Sequence, residues 1–125
     1  MRPTSVLICE DAPGFAVLAS AWLNDDPLLE VAGVAHTGVD AVAQARALHP
    51  DVILLDRTLP DAPDVAALVA ALRDSAPSGA IVLMSSMAPD DLAAEALRLG
   101  AEASVSKMTQ AHELCAVVRA AASPA

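Results

Sequence analysis

Apolar and polar residues follow two different periods along this chain, and the two periods alternate five times. Short, mostly apolar runs occupy residues 6–9, 29–35, 52–55, 80–84 and 103–106. Each run is followed by a stretch in which apolar residues recur every three or four positions, which is the spacing of an amphipathic helix. This alternation predicts a parallel sheet with helices on both faces, joined by right-handed crossovers.

The predicted helices have recognisable ends and apolar faces. Thr37 and Asp64 suit the N-cap positions of the second and third helices, and the fourth runs from about Pro89 to Gly100. Gly33 interrupts the second apolar run, which is typical of an edge strand. The predicted apolar face of the first helix is Phe15, Leu18, Ala19 and Trp22, and that of the second is Val39, Val42, Ala43 and Ala47. The predicted face of the third helix is Val65, Leu68, Val69 and Leu72, and that of the last is Leu114, Val117, Val118 and Ala121.

Polar residues with related chemistry stand where these strands end. In open parallel sheets, ligands bind beyond the carboxyl ends of the strands, near the point where the strand order reverses. The residues at those ends are Glu10, Asp11, Asp56, Ser85 and Lys107, and Lys107 is the only lysine in the chain. Arg57 and Thr58, which follow Asp56, are expected to face solvent.

Three carboxylates at one edge of a sheet repel each other, and each raises the pKa of the others. A hard divalent cation relieves this repulsion, and Mg²⁺ fits better than Zn²⁺ because no cysteine or histidine stands at these positions. The hydroxyl of Ser85 and the ammonium of Lys107 suit the oxygens of a phosphoryl group. The set therefore predicts phosphoryl transfer, with Asp56 as the nucleophile that forms an acyl phosphate.

Composition narrows the classes of partner. The formal net charge is −9 and the only aromatic residues are Phe15 and Trp22, so direct nucleic-acid binding by this chain is not expected. The sequence lacks an apolar run long enough for a membrane span. Cys9 and Cys115 are isolated and are predicted to be buried, reduced residues. A cytoplasmic location is expected.

Four segments together resemble the receiver domain of two-component response regulators. They are VLICED (6–11), PDVILLDRTLPD (50–61), IVLMSS (81–86) and GAEASVSK (100–107). ALRLGAEA (96–103) and the absence of proline after Lys107 are most similar to the NarL/FixJ subclass. The resemblance implies an α/β, doubly wound (βα)5 flavodoxin-like fold, a three-layer sandwich whose five-stranded parallel sheet has the order 2-1-3-4-5. It implies a receiver domain over residues 1–121, followed by a tail or linker at 122–125.

The resemblance also implies a role for each site residue. Asp56 is the phospho-acceptor. Mg²⁺ is held by Asp56, by Asp11 directly, by Glu10 mainly through water, and by the backbone carbonyl of Thr58. Ser85 and Lys107 contact the phosphoryl group. The implied partners are a sensor histidine kinase as donor and a second copy in a homodimer. The implied function is a switch, not an enzyme, that controls transcription through an output domain outside this chain.

Three departures from the family pattern leave a second interpretation open. Position 104, usually aromatic and part of the switch, is Ser104, and the loop at 61–64 lacks the usual glycine. Met108 replaces the common proline, so a trans bond is expected there. A degenerate receiver that binds a partner or ligand without phosphorylation is the alternative. A haloacid-dehalogenase-type phosphatase is disfavoured, because Thr58 occupies the place of its second aspartate.

Overall fold

A computed structural model describes residues 2–123 of the chain, in which five strands and five helices alternate. The strands are β1 (Thr4–Cys9), β2 (Leu29–Ala35), β3 (Val52–Asp56), β4 (Ala80–Ser85) and β5 (Ala103–Ser106). The helices are α1 (Pro13–Asn24), α2 (Gly38–Leu48), α3 (Val65–Ser75), α4 (Pro89–Leu99) and α5 (Ala111–Ala122). The last helix includes Ala122, one residue past the predicted domain end, and residues 124–125 of the predicted tail lie outside the described residues.

The strands form one parallel sheet in the order β2-β1-β3-β4-β5, which confirms the predicted doubly wound, flavodoxin-like fold. From β1 the chain passes outward to β2, then returns across β1 to β3 and continues in the other direction. The strand order therefore reverses between β1 and β3. Cys9 pairs with Leu55 at the carboxyl ends of these two strands, so the residues that follow them meet at the switch point.

The β2 strand is an edge strand, as Gly33 predicted. The register with β1 shifts between Val6, paired with Val31, and Leu7, paired with Gly33. A Cβ at Gly33 would lie 2.3 Å from Oε1 of Gln44, whose amide donates to the backbone carbonyl of Val34 over 2.9 Å. The missing side chain at position 33 lets α2 approach this edge closely.

The core consists of two layers, one on each face of the sheet. On one face, buried residues of β1, β3 and β4 pack against α2, α3 and α4, with Ile53, Leu55 and Leu83 wholly buried. On the other face, the alternate strand residues pack against α1 and α5. The central strands are buried on both faces, as their unbroken apolar runs predicted.

The predicted faces of α3 and α5 are confirmed, that of α1 is confirmed except for Leu18, and that of α2 is wrong except for Val42, which packs against the core. On α1 the buried residues are Ala16, Ala19 and Leu23, and 43% of Leu18 is exposed. On α2 they are Gly38, Ala41 and Ala45, and 78% of Val39 is exposed. The buried stripe of α2 consists of one glycine and two alanines, and these small residues allow the helix to approach the sheet closely. Ranking positions by hydrophobicity alone selects the wrong stripe on this helix.

Local predictions at helix and loop ends are confirmed. The hydroxyl of Thr37 caps α2 and the carboxylate of Asp64 caps α3. Gly100 ends α4 with a φ of 76°. All peptide bonds in residues 2–123 are trans, including the one before Met108. Cys9 and Cys115 are buried and free. Within the same residues, none of the helices has the length and apolarity that crossing a bilayer requires.

Candidate functional site

Asp56 lies at the carboxyl end of β3 with 1% of its surface exposed. Its two carboxylate oxygens have different partners. Oδ1 accepts hydrogen bonds from the backbone N–H of Thr58 over 3.0 Å and from the Thr58 hydroxyl over 3.1 Å. Oδ2 accepts one from Nζ of Lys107 over 3.0 Å. The Asp56 carboxylate is thus fixed in orientation. Thr58 of the following loop holds one oxygen, and Lys107, which follows the edge strand β5, holds the other.

Glu10 and Asp11 follow β1 and join Asp56 in one acidic cluster. One carboxylate oxygen from each of the three residues lies within 4.8 Å of the others. Glu10 is wholly buried, whereas Asp11 is exposed. Oε2 of Glu10 accepts a hydrogen bond from the backbone N–H of Ala12 over 3.1 Å, and its Oε1 lies 2.5 Å from Nζ of Lys107. The cluster therefore has two buried carboxylates and one at the surface.

The electrostatics of the cluster agree only in part with the predicted mutual rise in pKa. Burial, reinforced by the neighbouring Asp56, raises the pKa of Glu10 to about 7, although Lys107 and the Ala12 N–H oppose the rise. Burial also acts to raise the pKa of Asp56, but hydrogen bonds from Glu10, Thr58 and Lys107 outweigh it, and its pKa is lowered. The predicted rise is therefore wrong for Asp56. The pair divides into one carboxyl that holds a proton more readily and one that stays ionised.

Lys107 and Ser85 are held beside each other by the backbone. The N–H of Lys107 donates to the carbonyl of Ser85 over 3.0 Å. The Ser85 side chain is buried, and its hydroxyl oxygen accepts the N–H of Met87 over 3.2 Å. Burial acts to lower the pKa of Lys107, but the carboxylates of Glu10 and Asp56 outweigh it, so its pKa is raised and the ammonium stays charged. The strand-end rule thus brought the predicted residues to one edge of the sheet.

The loop after Asp56 contains contacts that the sequence did not predict. Thr58 is exposed, as expected, but its hydroxyl also donates to Asp56. Arg57 is only half-exposed and reaches α4, where its Nη2 lies 3.7 Å from Oε2 of Glu95. Asp61 accepts hydrogen bonds from the backbone N–H groups of Gly38, over 2.7 Å, and Val39, over 3.2 Å. These bonds lower the pKa of Asp61. This carboxylate caps α2 from 22 residues away, a contact that no local pattern in the sequence signals.

Two other predicted positions have defined places. Ser104 pairs with Leu83 across β4 and β5 and is half-buried. His36 follows β2 and is exposed, and its Nδ1–H donates to the backbone carbonyl of Glu10 over 2.9 Å. That bond ties the end of β2 to the acidic residue that ends β1, a contact that sequence reasoning missed.

The donor set of the cluster fits a hard divalent cation. Three carboxylates share a small space with a single ammonium, so negative charge is left uncompensated. Oε1 of the buried Glu10 has no hydrogen-bond partner of good geometry, although it lies beside Lys107. Oxygen donors without cysteine or histidine suit Mg²⁺ better than Zn²⁺.

Comparisons with known proteins agree with this geometry. The family model for the response regulator receiver domain matches residues 6–119. A protein-glutamate methylesterase/protein-glutamine glutaminase from Myxococcus xanthus is 37% identical over 118 residues, which cover 90% of this chain and 33% of that protein. The chain therefore spans about a third of the length of this relative.

Solved structures show the same fold. The signal receiver domain of the response regulator NarL from Mycobacterium tuberculosis superposes with a TM-score of 0.87 and 27% identity, covering 98% of each chain. A further match is the crystal structure of the P1 domain of CheA3 in complex with CheY6 from R. sphaeroides. It superposes with a TM-score of 0.82 and 26% identity, covering 97% of this chain and 98% of the other.

Proposed function

This chain belongs to the response regulator receiver domain family, and on that premise we propose that it is a switch that takes a phosphoryl group from a sensor histidine kinase onto Asp56. The observation that carries the proposal is the state of that carboxylate. Asp56 is buried, its pKa is lowered so that it stays ionised, and Lys107 holds one of its oxygens at 3.0 Å. A buried, ionised and oriented carboxylate is suited to attack phosphorus.

The proposal includes Mg²⁺ as cofactor. Asp11, Asp56 and the backbone carbonyl of Thr58 would hold the ion, with Glu10 acting mainly through water. When bound, Mg²⁺ neutralises charge on the carboxylates and on the phosphoryl oxygens. The uncompensated charge of the cluster and the buried Glu10 Oε1 without a well-formed hydrogen bond support this assignment.

The chain's own residues supply positioning and charge. In the transfer, a carboxylate oxygen of Asp56 forms the new bond to phosphorus, and the bond from phosphorus to the donor breaks, so that the donor leaves with the electron pair. The Lys107 ammonium exchanges its contact with Oδ2 for one with a phosphoryl oxygen. Ser85 rotates its hydroxyl toward the same group. Both contacts stabilise charge that is absent before transfer.

The proposed role is that of a signalling switch which is modified once per event and does not turn over a substrate. Its donor is a sensor histidine kinase, which accords with the matched structure of a CheY protein with a domain of CheA. We infer a cytoplasmic location, where such a kinase presents its phosphohistidine. Similar proteins include a methylesterase and the response regulator NarL. Similarity therefore supports no single output, and transcription control stays a prediction.

A degenerate receiver is the second candidate, and two observations favour it. Ser104 has no ring that could move inward, and the loop at 61–64 is tied to α2 through Asp61. Such a protein would use its surface, or a homodimer, without phosphorylation. The intact set of Glu10, Asp11, Asp56, Ser85 and Lys107 weighs against it, because a module that ignores phosphorylation does not need a buried, uncompensated acidic cluster.

The deciding experiment is intact-mass measurement after incubation with acetyl phosphate and Mg²⁺. We expect the parent to gain one phosphoryl group, which hydroxylamine removes because the product is an acyl phosphate. Asp56→Asn should gain none, whereas Asp91→Asn, which removes an exposed carboxylate on α4, should behave like the parent. Absence of the gain in the parent would favour the degenerate receiver, and a gain that persists in Asp56→Asn would show a different acceptor.

A further inference from the structure

The ammonium of Lys107 has a third neighbour besides its two carboxylates. Nζ lies 5.1 Å from the centroid of the Phe15 ring, which is within the range of a cation–π contact. The same atom lies 2.5 Å from Oε1 of Glu10 and 3.0 Å from Oδ2 of Asp56. Only 18% of the lysine side chain is exposed. The ring and the two carboxylates therefore enclose the ammonium, and little water reaches it.

The position of Phe15 follows from the turn between β1 and α1. The carboxylate of Glu10 accepts the N–H of Ala12, which fixes the chain as it leaves the strand. Pro13 then begins α1, and Phe15 lies in its first turn, half-buried against the core layer beneath α1 and α5. The residue that contributes a carboxylate to the site therefore also sets the place of the ring.

A ring face attracts a cation without accepting a directed hydrogen bond. A lysine side chain is long and flexible, and confining it costs conformational entropy. The ring limits the positions open to the ammonium but lets it slide, because the attraction extends over the whole face. The ammonium needs this freedom when it exchanges Oδ2 of Asp56 for a phosphoryl oxygen.

We propose that Phe15 is a positioning residue for phosphoryl transfer, its ring face holding the Lys107 ammonium where it can pass from Asp56 to the phosphoryl group. The inference rests on the proposed function for its role in transfer, but the ring–ammonium contact itself does not depend on phosphorylation. If Phe15 were only a core residue, the electron density of its ring would be irrelevant and only its size would matter.

The composition of the chain allows a positioning role of Phe15 to be distinguished from a purely structural role in the core. Phe15 is the only phenylalanine, Trp22 the only tryptophan and Lys107 the only lysine. Expression with mono-, di- or trifluorophenylalanine therefore alters a single ring, weakening its negative face with little change in size. Fluorotryptophan labels Trp22 on the same helix, about 10 Å farther along the axis, and is the matched control.

The rate of phosphorylation by acetyl phosphate with Mg²⁺ is the first readout. In this reaction Asp56 gains the bond to phosphorus and acetate leaves with the electron pair. We expect the rate to fall with each added fluorine, reaching about two- to fivefold with three, while the melting temperature stays near that of the parent. Fluorotryptophan should leave the rate unchanged. Equal rates across the phenylalanine series, with the parent phosphorylated, would overturn the inference and leave the proposed function intact.

The second readout is NMR of the lysine side chain and needs neither phosphorylation nor Mg²⁺. A ring face over the ammonium shifts the ε-methylene protons of Lys107 upfield, and selective lysine labelling gives a single set of signals. We expect this shift in the parent and its loss in Phe15→Leu. An unshifted signal in the parent would overturn the inference. A shifted signal in a protein that acetyl phosphate does not modify would keep the ring–lysine contact and reject the proposed function.

Discussion

Replacing Asp56 by asparagine removes one charge from the acidic cluster and keeps the size of the side chain, so it tests how strongly the three carboxylates interact. At pH 8, above the pKa of about 7 for Glu10, Glu10 is largely ionised, as is Asp56, whose pKa is lowered. Carboxylate oxygens within 4.8 Å of each other repel by about 3 to 4 kcal/mol a pair at an effective dielectric constant of about 20. Asp56 takes part in two such pairs.

The attraction between Asp56 and Lys107 opposes this repulsion. At the observed 3.0 Å it amounts to about 5 to 6 kcal/mol on the same scale. At pH 8 the ionised Glu10 no longer donates the hydrogen bond that helps to lower the pKa of Asp56, and the amide oxygen of asparagine can keep the Thr58 hydrogen bonds. The two repulsions exceed the one attraction by about 1 to 2 kcal/mol, so Asp56→Asn should be more stable than the parent at this pH without Mg²⁺. For a chain of this size, that difference raises the melting temperature by several degrees.

Mg²⁺ should reverse the order of the two proteins. A ligand that binds only the folded state adds about 2.7 kcal/mol when its concentration is about 100 times its Kd, which exceeds the deficit of about 1 to 2 kcal/mol. The parent should gain this stability and Asp56→Asn should gain little, because it has lost a ligand. Thermal unfolding in MgCl₂ and in NaCl of equal ionic strength separates binding from screening, and Asp74→Asn reports the effect of removing an exposed carboxylate elsewhere.

Two results together would refute this reasoning. One is a parent melting temperature that is the same in millimolar MgCl₂ as in the matched NaCl solution. The other is a rise for Asp56→Asn no larger than the rise for Asp74→Asn. The carboxylates would then not form the coupled cluster that their geometry implies, and the proposed Mg²⁺ site would fall with it.

Three further predictions concern other parts of the molecule. Lys107→Ala should impair signalling in a coupled kinase–reporter assay, because it removes the ammonium proposed to contact the phosphoryl group; parent-like output would contradict this. Because Ser104 has no ring to bury, the beryllofluoride mimic should shift NMR signals after Ser85 more than those of α4 and α5, and large shifts across residues 90–118 would refute it. Bonds from Ser5 and Arg2 lower the pKa of Asp51 despite its partial burial, so its contribution to stability is present above about pH 4 and lost as pH falls further. The urea midpoints of the parent and Asp51→Asn should differ above about pH 4 and converge as the pH falls below it. A gap that does not narrow would count against this.

The fold and the main site residues were predictable because their causes are local or topological. Unbroken apolar runs mark the central strands, and the carboxyl-end rule brings Glu10, Asp56, Ser85 and Lys107 to one edge without knowledge of any distance. The different behaviour of the two buried carboxyls was not predictable. It depends on which oxygen the Thr58 N–H and hydroxyl reach, and only coordinates supply that.

The errors have physical causes of their own. Val39 was assigned to the core because it is a large apolar residue at helical spacing, but the stripe of α2 that covers the sheet consists of a glycine and two alanines. On α1, Leu18 is the one exposed member of the predicted face. Arg57 was expected in solvent because a charged residue after a strand usually lies there, but Glu95 on α4 offers a partner. Contacts between elements far apart in sequence decide both cases.

The tie between the acceptor loop and α2 also bears on how this sequence can diverge. A Cβ at Gly38 would lie 2.9 Å from the Cβ of Ala62, so the two backbones approach as closely as they do only because one of the two residues lacks a side chain. The loop at 61–64 lacks the glycine expected there from the family resemblance, and the glycine stands on the helix instead, at position 38. Positions 38 and 62 therefore form a reciprocal pair: either can be enlarged only if the other is reduced, and homologous chains should exchange glycine between them without changing the path of the loop.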